Sequence, residues 1–275
     1  MKFVPRVLTD GRAVALGGYI HRVNDKIVRE TLSVPSASSS FGGSSESKPK
    51  TFRSSATRDG KRVVSCGSAV VKAWHDRPGV PAAGSSPAQT VHARSSIARL
   101  AVGNRLFVER AEAHLKTVYR SGDGQPTITP LKAQITGLVI DGVRFKVSLN
   151  TKPIASFGTC DQFHHACQHD GHFHETHGKR FLSFRDGQRA GQAAKNCSVY
   201  SLVDRITWKG TLPEGAEVSE DSHVIVWPDF GKVILGEMLI SDFSRRLTMV
   251  RLELGSPIEG RMAIADVESG GQGLP

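Results

Sequence analysis

The chain has 275 residues, a formal net charge of +10 and a pI near 9.7, which is enough length for one large domain or two smaller ones. Hydrophobic residues make up 39% and charged residues 23%, as in a folded chain. The sequence contains no apolar run long enough for a membrane-spanning helix. The N-terminus lacks the apolar core of a secretion signal, so a cytoplasmic location is the default expectation and the compartment stays unknown.

Short runs of β-branched and aliphatic residues, separated by turn residues, predict strands throughout the first half of the chain. Asp10-Gly11 and Asp141-Gly142 are typical of tight hairpin turns. The segment 105–119 also allows an amphipathic helix, but its neighbours and the two-residue turn before it favour a strand. The predicted strands are 3–8, 13–23, 26–34, 51–57, 62–74, 90–102, 105–119, 127–140 and 143–149.

Three segments are rich in Ser, Gly or Pro and lack apolar residues that could be buried. We expect residues 35–50 and 75–89 to form flexible loops, and the tail 269–275 to fray.

The last third of the chain has the clearest strand pattern, at 199–208, 223–227, 232–240, 246–254 and 258–267. Strands at this spacing predict an all-β fold with little helix, built as an antiparallel β-sandwich or as barrel-like sheets. We expect one large β domain over 1–275. The alternative is two β-modules, 1–155 and 180–268, linked by residues 156–179.

Two stretches, Ser96–Leu115 and Ile135–Val147, resemble a group of uncharacterised bacterial all-β proteins. In that group a strand passes through a short apolar turn into a second strand, and a later strand ends in a hairpin with Asp and Gly at its turn. The resemblance covers a small part of the chain and implies a strand over 105–119. It implies no activity and no functional residues.

Six of the eleven histidines and two cysteines lie between residues 160 and 177. Imidazole and thiolate are favoured ligands of zinc and neighbouring transition metals, so this segment is a candidate metal site. Neither a Cys-x-x-Cys pair nor His-Glu-x-x-His is present. Asp161, Asp170 and Glu175 could orient ligating imidazoles. The candidate ligands are Cys160, His164, His165, Cys167, His169, His172, His174 and His177.

Two other interpretations of this segment stay open. It could be a solvated His-rich loop in which some imidazoles pack beside Phe163, Phe173 or Phe181. It could also respond to pH, because histidines gain charge near pH ~6.5. The four cysteines are expected to be free thiols, and Cys66 to be a strand residue.

The sequence shows no catalytic signature and no phosphate-binding loop, and Glu109 and Glu112 are expected to be ordinary surface charges. It therefore favours a non-enzymatic protein that acts as a binding or assembly module, with self-association or a protein partner. Covering of exposed strand edges is one reason to expect a homo-oligomer. One alternative is a zinc-type metalloprotein. A second is a basic nucleic-acid-binding protein, which is less favoured because the basic residues are spread along the chain and only three Trp and three Tyr are available for stacking.

Overall fold

The computed structural model describes residues 7–24, 26–40, 43–58, 60–76, 88–120, 123–177, 198–219 and 223–273. Two large antiparallel sheets, which we call sheet A and sheet B, pack face to face, and three short helices lie outside them. The predicted all-β sandwich is therefore confirmed.

Sheet A combines strands from the first forty residues with strands from the last third of the chain. Its strands follow the order β15-β16-β17-β18-β19-β1-β2, and β13 also pairs with β17. The strands are β1 (Val7–Val23), β2 (Lys26–Ser40), β13 (Ser198–Ser201), β15 (Glu217–Val218), β16 (Val224–Trp227), β17 (Gly231–Ile240), β18 (Ser244–Leu254) and β19 (Ile258–Gly273).

Sheet B follows the order β14-β12-β11-β9-β8-β7-β3, with β10 also paired to β9 and β4 to β7. Its strands are β3 (Ser44–Glu46), β4 (Lys50–Arg53), β7 (Val64–His75), β8 (Ala88–Val102), β9 (Leu106–Arg120), β10 (Thr127–Thr136), β11 (Leu138–Ile140), β12 (Val143–Leu149) and β14 (Val203–Lys209). A separate small ribbon pairs β5 (Thr57–Arg58) with β6 (Lys61–Arg62).

The core lies between the central strands of the two sheets, where β1 and β19 pack on β7, β8 and β9. Successive side chains of a strand point to opposite faces, so alternate residues are buried. Leu16, Ile97, Leu115 and Ile264 are buried in this layer. Each such side chain contributes about 1.5–3 kcal/mol when it leaves water.

The predicted turn at Asp10-Gly11 is wrong, because β1 runs straight through it and pairs there with both β19 and β2. Gly11 instead allows the two sheets to approach each other closely. A Cβ atom at this position would lie 3.1 Å from the carbonyl oxygen of His92 and 3.2 Å from a methyl group of Val91. The glycine that suggested a turn is therefore a packing residue.

The segments expected to be flexible also differ from the prediction. Residues 35–40 continue β2, with Pro35, Ala37 and Ser39 buried and Ser36 and Ser38 exposed, as the two faces of an ordinary strand require. Residues 44–46 form β3, and the tail forms the end of β19 as far as residue 273 because its backbone pairs with β1. Most of the predicted loop 75–89 lies outside the described residues.

The segment 105–119, which the sequence left open between helix and strand, is strand β9, as predicted. The three helices are α1 (Lys152–Ala155), α2 (Cys160–His169) and α3 (Gly171–His177). No helix within the described residues is long and apolar enough to cross a membrane.

Candidate functional site

The His/Cys-rich segment is helical, which corrects the expectation of a loop. Thr159 begins α2 with a capping box, in which its side chain accepts a hydrogen bond from the Gln162 backbone and the Gln162 side chain accepts one from Thr159. Phe163 and Phe173 are buried, and their rings meet edge to face with centroids 6.2 Å apart. Capping and these two apolar side chains explain why a polar segment folds as two short helices against the sandwich.

Among the eight candidate ligands, Cys160, His164 and Cys167 on α2 have partly or fully buried side chains. The Cys160 sulfur lies 3.8 Å from Nδ1 of His164, and Nε2 of His164 lies 3.0 Å from the hydroxyl of Ser198. Burial, reinforced by Asp242, raises the pKa of the Cys160 thiol to about 12, and burial raises that of Cys167 to about 11. Both thiols are therefore protonated at neutral pH.

The remaining five candidates lie elsewhere on the two helices. His165, His169, His172 and His174 are exposed, whereas His177 is partly buried with its ring 4.9 Å from that of Phe173. Within the part of the chain that the structure describes, no three His, Cys, Asp or Glu side chains are grouped to hold a metal ion. The eight candidates do not converge on one point, and the metal site stays a prediction.

The helical segment is attached to the sandwich through Arg245, which is 1% exposed. Its guanidinium donates to the carbonyl oxygens of Ile128 at 2.5 Å, Phe157 at 2.5 Å and Thr159 at 3.3 Å. Burial lowers the pKa of Arg245 to about 10, so the group keeps its charge at neutral pH. One buried cation thus joins β18, β10 and the start of α2.

The outer face of sheet B is strongly basic. Cross-strand register places Lys72, Arg94 and Lys132 in one row with His114, and places Arg144 opposite Lys209. We call this surface the basic face. Its cations are Lys72, Arg94, Arg110, Lys116, Lys132, Arg144, Lys146, Arg205 and Lys209. Its carboxylates are the buried Glu112, Glu46, which pairs with Lys72 at 2.8 Å, and Asp76, which contacts His92; Glu109 and Asp204 are exposed in the same strands.

Glu112 lies at the centre of the basic face and is 0% exposed, which corrects the expectation that it is an ordinary surface charge. Arg94, Arg110 and Lys132 close over it with contacts of 2.7, 2.8 and 3.0 Å. Burial alone would raise the pKa of the carboxyl group. The hydrogen bonds and charges of Lys132 and Arg94 outweigh that effect and hold the pKa below its ordinary value.

Beside this ion cluster, two histidines and a tryptophan form a polar and aromatic group. The Trp74 and His92 rings are stacked, with centroids 4.6 Å apart and planes 3° apart. His92 Nε2 lies 3.1 Å from Oδ2 of Asp76, and His92 Nδ1 lies 3.0 Å from Nε2 of His114. When both imidazoles are neutral, the Asp76 carboxylate fixes the protons: His92 donates to Asp76 and His114 donates to His92.

His114 should make the protein less stable in mild acid. Burial and the charges of His92 and Arg94 lower its pKa to about 4, whereas in the unfolded chain it titrates near pH ~6.5. Between these pH values the unfolded chain binds more protons, so the free energy of unfolding decreases as the pH falls from about 6.5 to about 4. After allowance for solvent screening, the loss is about 1–2 kcal/mol.

The measurement for this prediction is urea unfolding at pH 7 and pH 4.5 of the wild type, His114→Gln and His174→Gln. His174 is exposed and provides the matched control. We expect His114→Gln to show a smaller difference in unfolding free energy between the two pH values. An equal pH dependence in all three proteins would contradict this assignment.

The outer face of sheet A differs because its cations are balanced by carboxylates. Arg246 pairs with Asp266 at 2.7 Å, and Arg251 pairs with Glu237 at 2.6 Å. The outward charges of β1, β17, β18 and β19 include Arg12, Lys232, Glu237, Arg246, Arg251, Glu253, Arg261, Asp266 and Glu268. The excess positive charge on the sheets is therefore concentrated on one side of the sandwich.

Sequence reasoning missed the basic face, although a signal for it was present. Arg144 and Lys146 are two positions apart in β12, and Arg205 and Lys209 are four positions apart in β14. An even spacing places both charges of a pair on one side of a strand. The sequence did not show which strands are neighbours, so the charges looked dispersed along the chain.

A family model described as "Domain of unknown function (DUF8256)" matches residues 8–241, which confirms the expectation of an uncharacterised family. The match ends before β18 and β19, although these two strands complete sheet A between β17 and β1. A bacterial source stays a prediction. No curated protein and no solved structure matches the chain.

Proposed function

Because the chain belongs to the DUF8256 family, whose function is unknown, we propose its role from its surfaces: a non-enzymatic binding module that holds an extended polyanion on the basic face. The observation that carries the proposal is the difference in charge between the two outer faces of the sandwich. A surface with an excess of one charge attracts an oppositely charged polymer and speeds its association.

The central part of the basic face supports a fixed arrangement of positive charge. The Glu112 carboxylate holds Arg94, Arg110 and Lys132 together, and each of these cations stays about half exposed, with side-chain exposures of 46%, 46% and 45%. Each can therefore contact an anion without leaving Glu112. A ligand that binds here does not first have to order three long side chains, which lowers the entropic cost of binding.

The outer part of the basic face lies on β12 and β14. Arg144 and Lys209 are opposite each other in the strand register, as are Ser148 and Arg205. Like charges opposite each other in a sheet are unfavourable by themselves. An anionic polymer that lies across the two strands would relieve this repulsion, which supports binding as the role of these cations.

The test is fluorescence anisotropy of two labelled probes, a single-stranded oligonucleotide and a heparin fragment. The two probes carry the same number of negative charges, and each is titrated with the full chain. We expect both to bind at low salt, with log Kd rising linearly with log salt concentration. Tighter binding of one probe would identify nucleic acid or a sulfated glycan as the preferred class. If neither probe binds at about 20 mM salt, where electrostatic attraction is least screened, the proposal is wrong.

The expected homo-oligomer stays a prediction and can be tested in the same buffer. Light scattering coupled to size exclusion measures the molar mass of the free chain and of its complex. A mass of 29.7 kDa for the free chain would identify a monomer.

A further inference from the structure

His165 and His169 lie one turn apart on the outward side of α2. Both are exposed, and their ring centroids are 4.6 Å apart with planes at 50°. Residues four positions apart on a helix share one face, so both imidazoles can reach the same point above the helix. Helical zinc sites also use two histidines that are four positions apart on one face.

The other candidate ligands of the segment have different surroundings. Cys160 is 2% exposed and contacts His164, which in turn contacts Ser198. His172 and His174 are two positions apart on α3, and residues with this spacing do not face each other on a helix. His174 also shares a face with His177, but His177 is partly buried against the Phe173 ring, so His165 and His169 are the pair on one face whose rings are both exposed.

The surface beside this pair leaves room for further ligands of an ion. An open depression of about 690 Å³ is lined by His165, His169 and residues around them, including Ser156, Phe157 and Gln162. Asp161 accepts from the Gln125 side chain at 2.9 Å, and Asp170 accepts from the Phe173 backbone at 2.9 Å. Among the described residues no third His, Cys, Asp or Glu is grouped with the two histidines, so water or a small external ligand would complete the coordination.

We propose that His165 and His169 form an open, two-imidazole site for a divalent late transition-metal ion such as Zn²⁺ or Cu²⁺. Imidazole nitrogen is a favoured ligand of both ions. The site is separate from the basic face and does not depend on polyanion binding. An ion bound by both rings links two successive turns of α2 and stabilises this short helix, which has ten residues.

The test is calorimetric titration of metal-free full-length protein with Zn²⁺ alone, on the wild type, His165→Gln, His169→Gln and the double variant His172→Gln/His174→Gln. The four replaced side chains are exposed, so the variants should fold, and thermal unfolding checks this. We expect the affinity to fall at least about tenfold in each of the first two variants and to be unchanged in the double variant.

A second readout separates a bound ion from nonspecific association. Zn²⁺ should slow hydrogen exchange over 160–169 in the wild type and in the His172/His174 double variant, but not in His165→Gln or His169→Gln. The proposal is overturned if the wild type does not bind Zn²⁺, or if the double variant loses as much affinity as the two single variants.

Discussion

Arg245→Met is expected to lower the free energy of unfolding by about 3–5 kcal/mol, because three carbonyl oxygens lose a charged hydrogen-bond donor at once. The methionine side chain fits a similar volume but donates no hydrogen bonds. The carbonyl oxygens of Ile128, Phe157 and Thr159 would then lose their shared donor in a buried environment. Each such loss costs about 1–3 kcal/mol when water cannot replace the donor.

Arg246→Met provides the matched control, because Arg246 is the next residue and points to the outer face of the same strand. Its side chain is 46% exposed, and its partner Asp266 keeps a hydrogen bond from Thr248, so the loss should stay within about 1–2 kcal/mol. Urea unfolding at pH 7 measures both effects. Hydrogen exchange should also show that 152–169 opens first in Arg245→Met. Equal destabilisation by the two substitutions would contradict the role assigned to Arg245.

The strand content could be predicted from the sequence because burial of one face imposes a two-residue period. β9 shows this best: Ala111, Ala113 and Leu115 alternate with Glu112 and His114, and the alternation favoured a strand over a helix. Turns were less predictable. The same Asp-Gly dipeptide forms a real turn at Asp141-Gly142 but lies within β1 at Asp10-Gly11, because neighbouring strands on both sides keep the latter extended.

The candidate sites could not be predicted from any one segment, because residues from several strands and helices form them. Within its own strand, Glu112 alternates with apolar residues and therefore faces outward, as a solvated residue would. It is buried because cations on β8 and β10 fold over it. The composition of 160–177 correctly identified an unusual segment. Which of its histidines share a face depends on the helix that Thr159 caps, whereas the pattern of residues left a loop as one open interpretation.

Removing positive charge from the basic face should have the largest effect on binding. The triple variant Arg144→Gln/Arg205→Gln/Lys209→Gln removes three exposed cations that have no part in holding Glu112. We expect the affinity for the labelled oligonucleotide to fall about 10–100-fold near 0.1 M salt. Each phosphate contact releases counterions from the nucleic acid, and each lost contact removes that favourable contribution to the binding free energy. Anisotropy titration at fixed salt measures the change.

The matched control removes two arginines and one lysine from the outer face of sheet A, as Arg12→Gln/Arg261→Gln/Lys232→Gln. Both triple variants lower the net charge by the same amount, so a general effect of charge would weaken binding equally. Unfolding curves for both variants establish that a loss of affinity does not result from a loss of structure.

The most direct test of the account is the salt dependence of oligonucleotide binding by the wild type and these two triple variants. If the basic face holds the polymer, the slope of log Kd against log salt should decrease by about 2 in the sheet B variant and stay unchanged in the sheet A variant. Equal slopes and equal losses of affinity in both variants would show that the polymer responds to overall charge, and would contradict a binding site on the basic face.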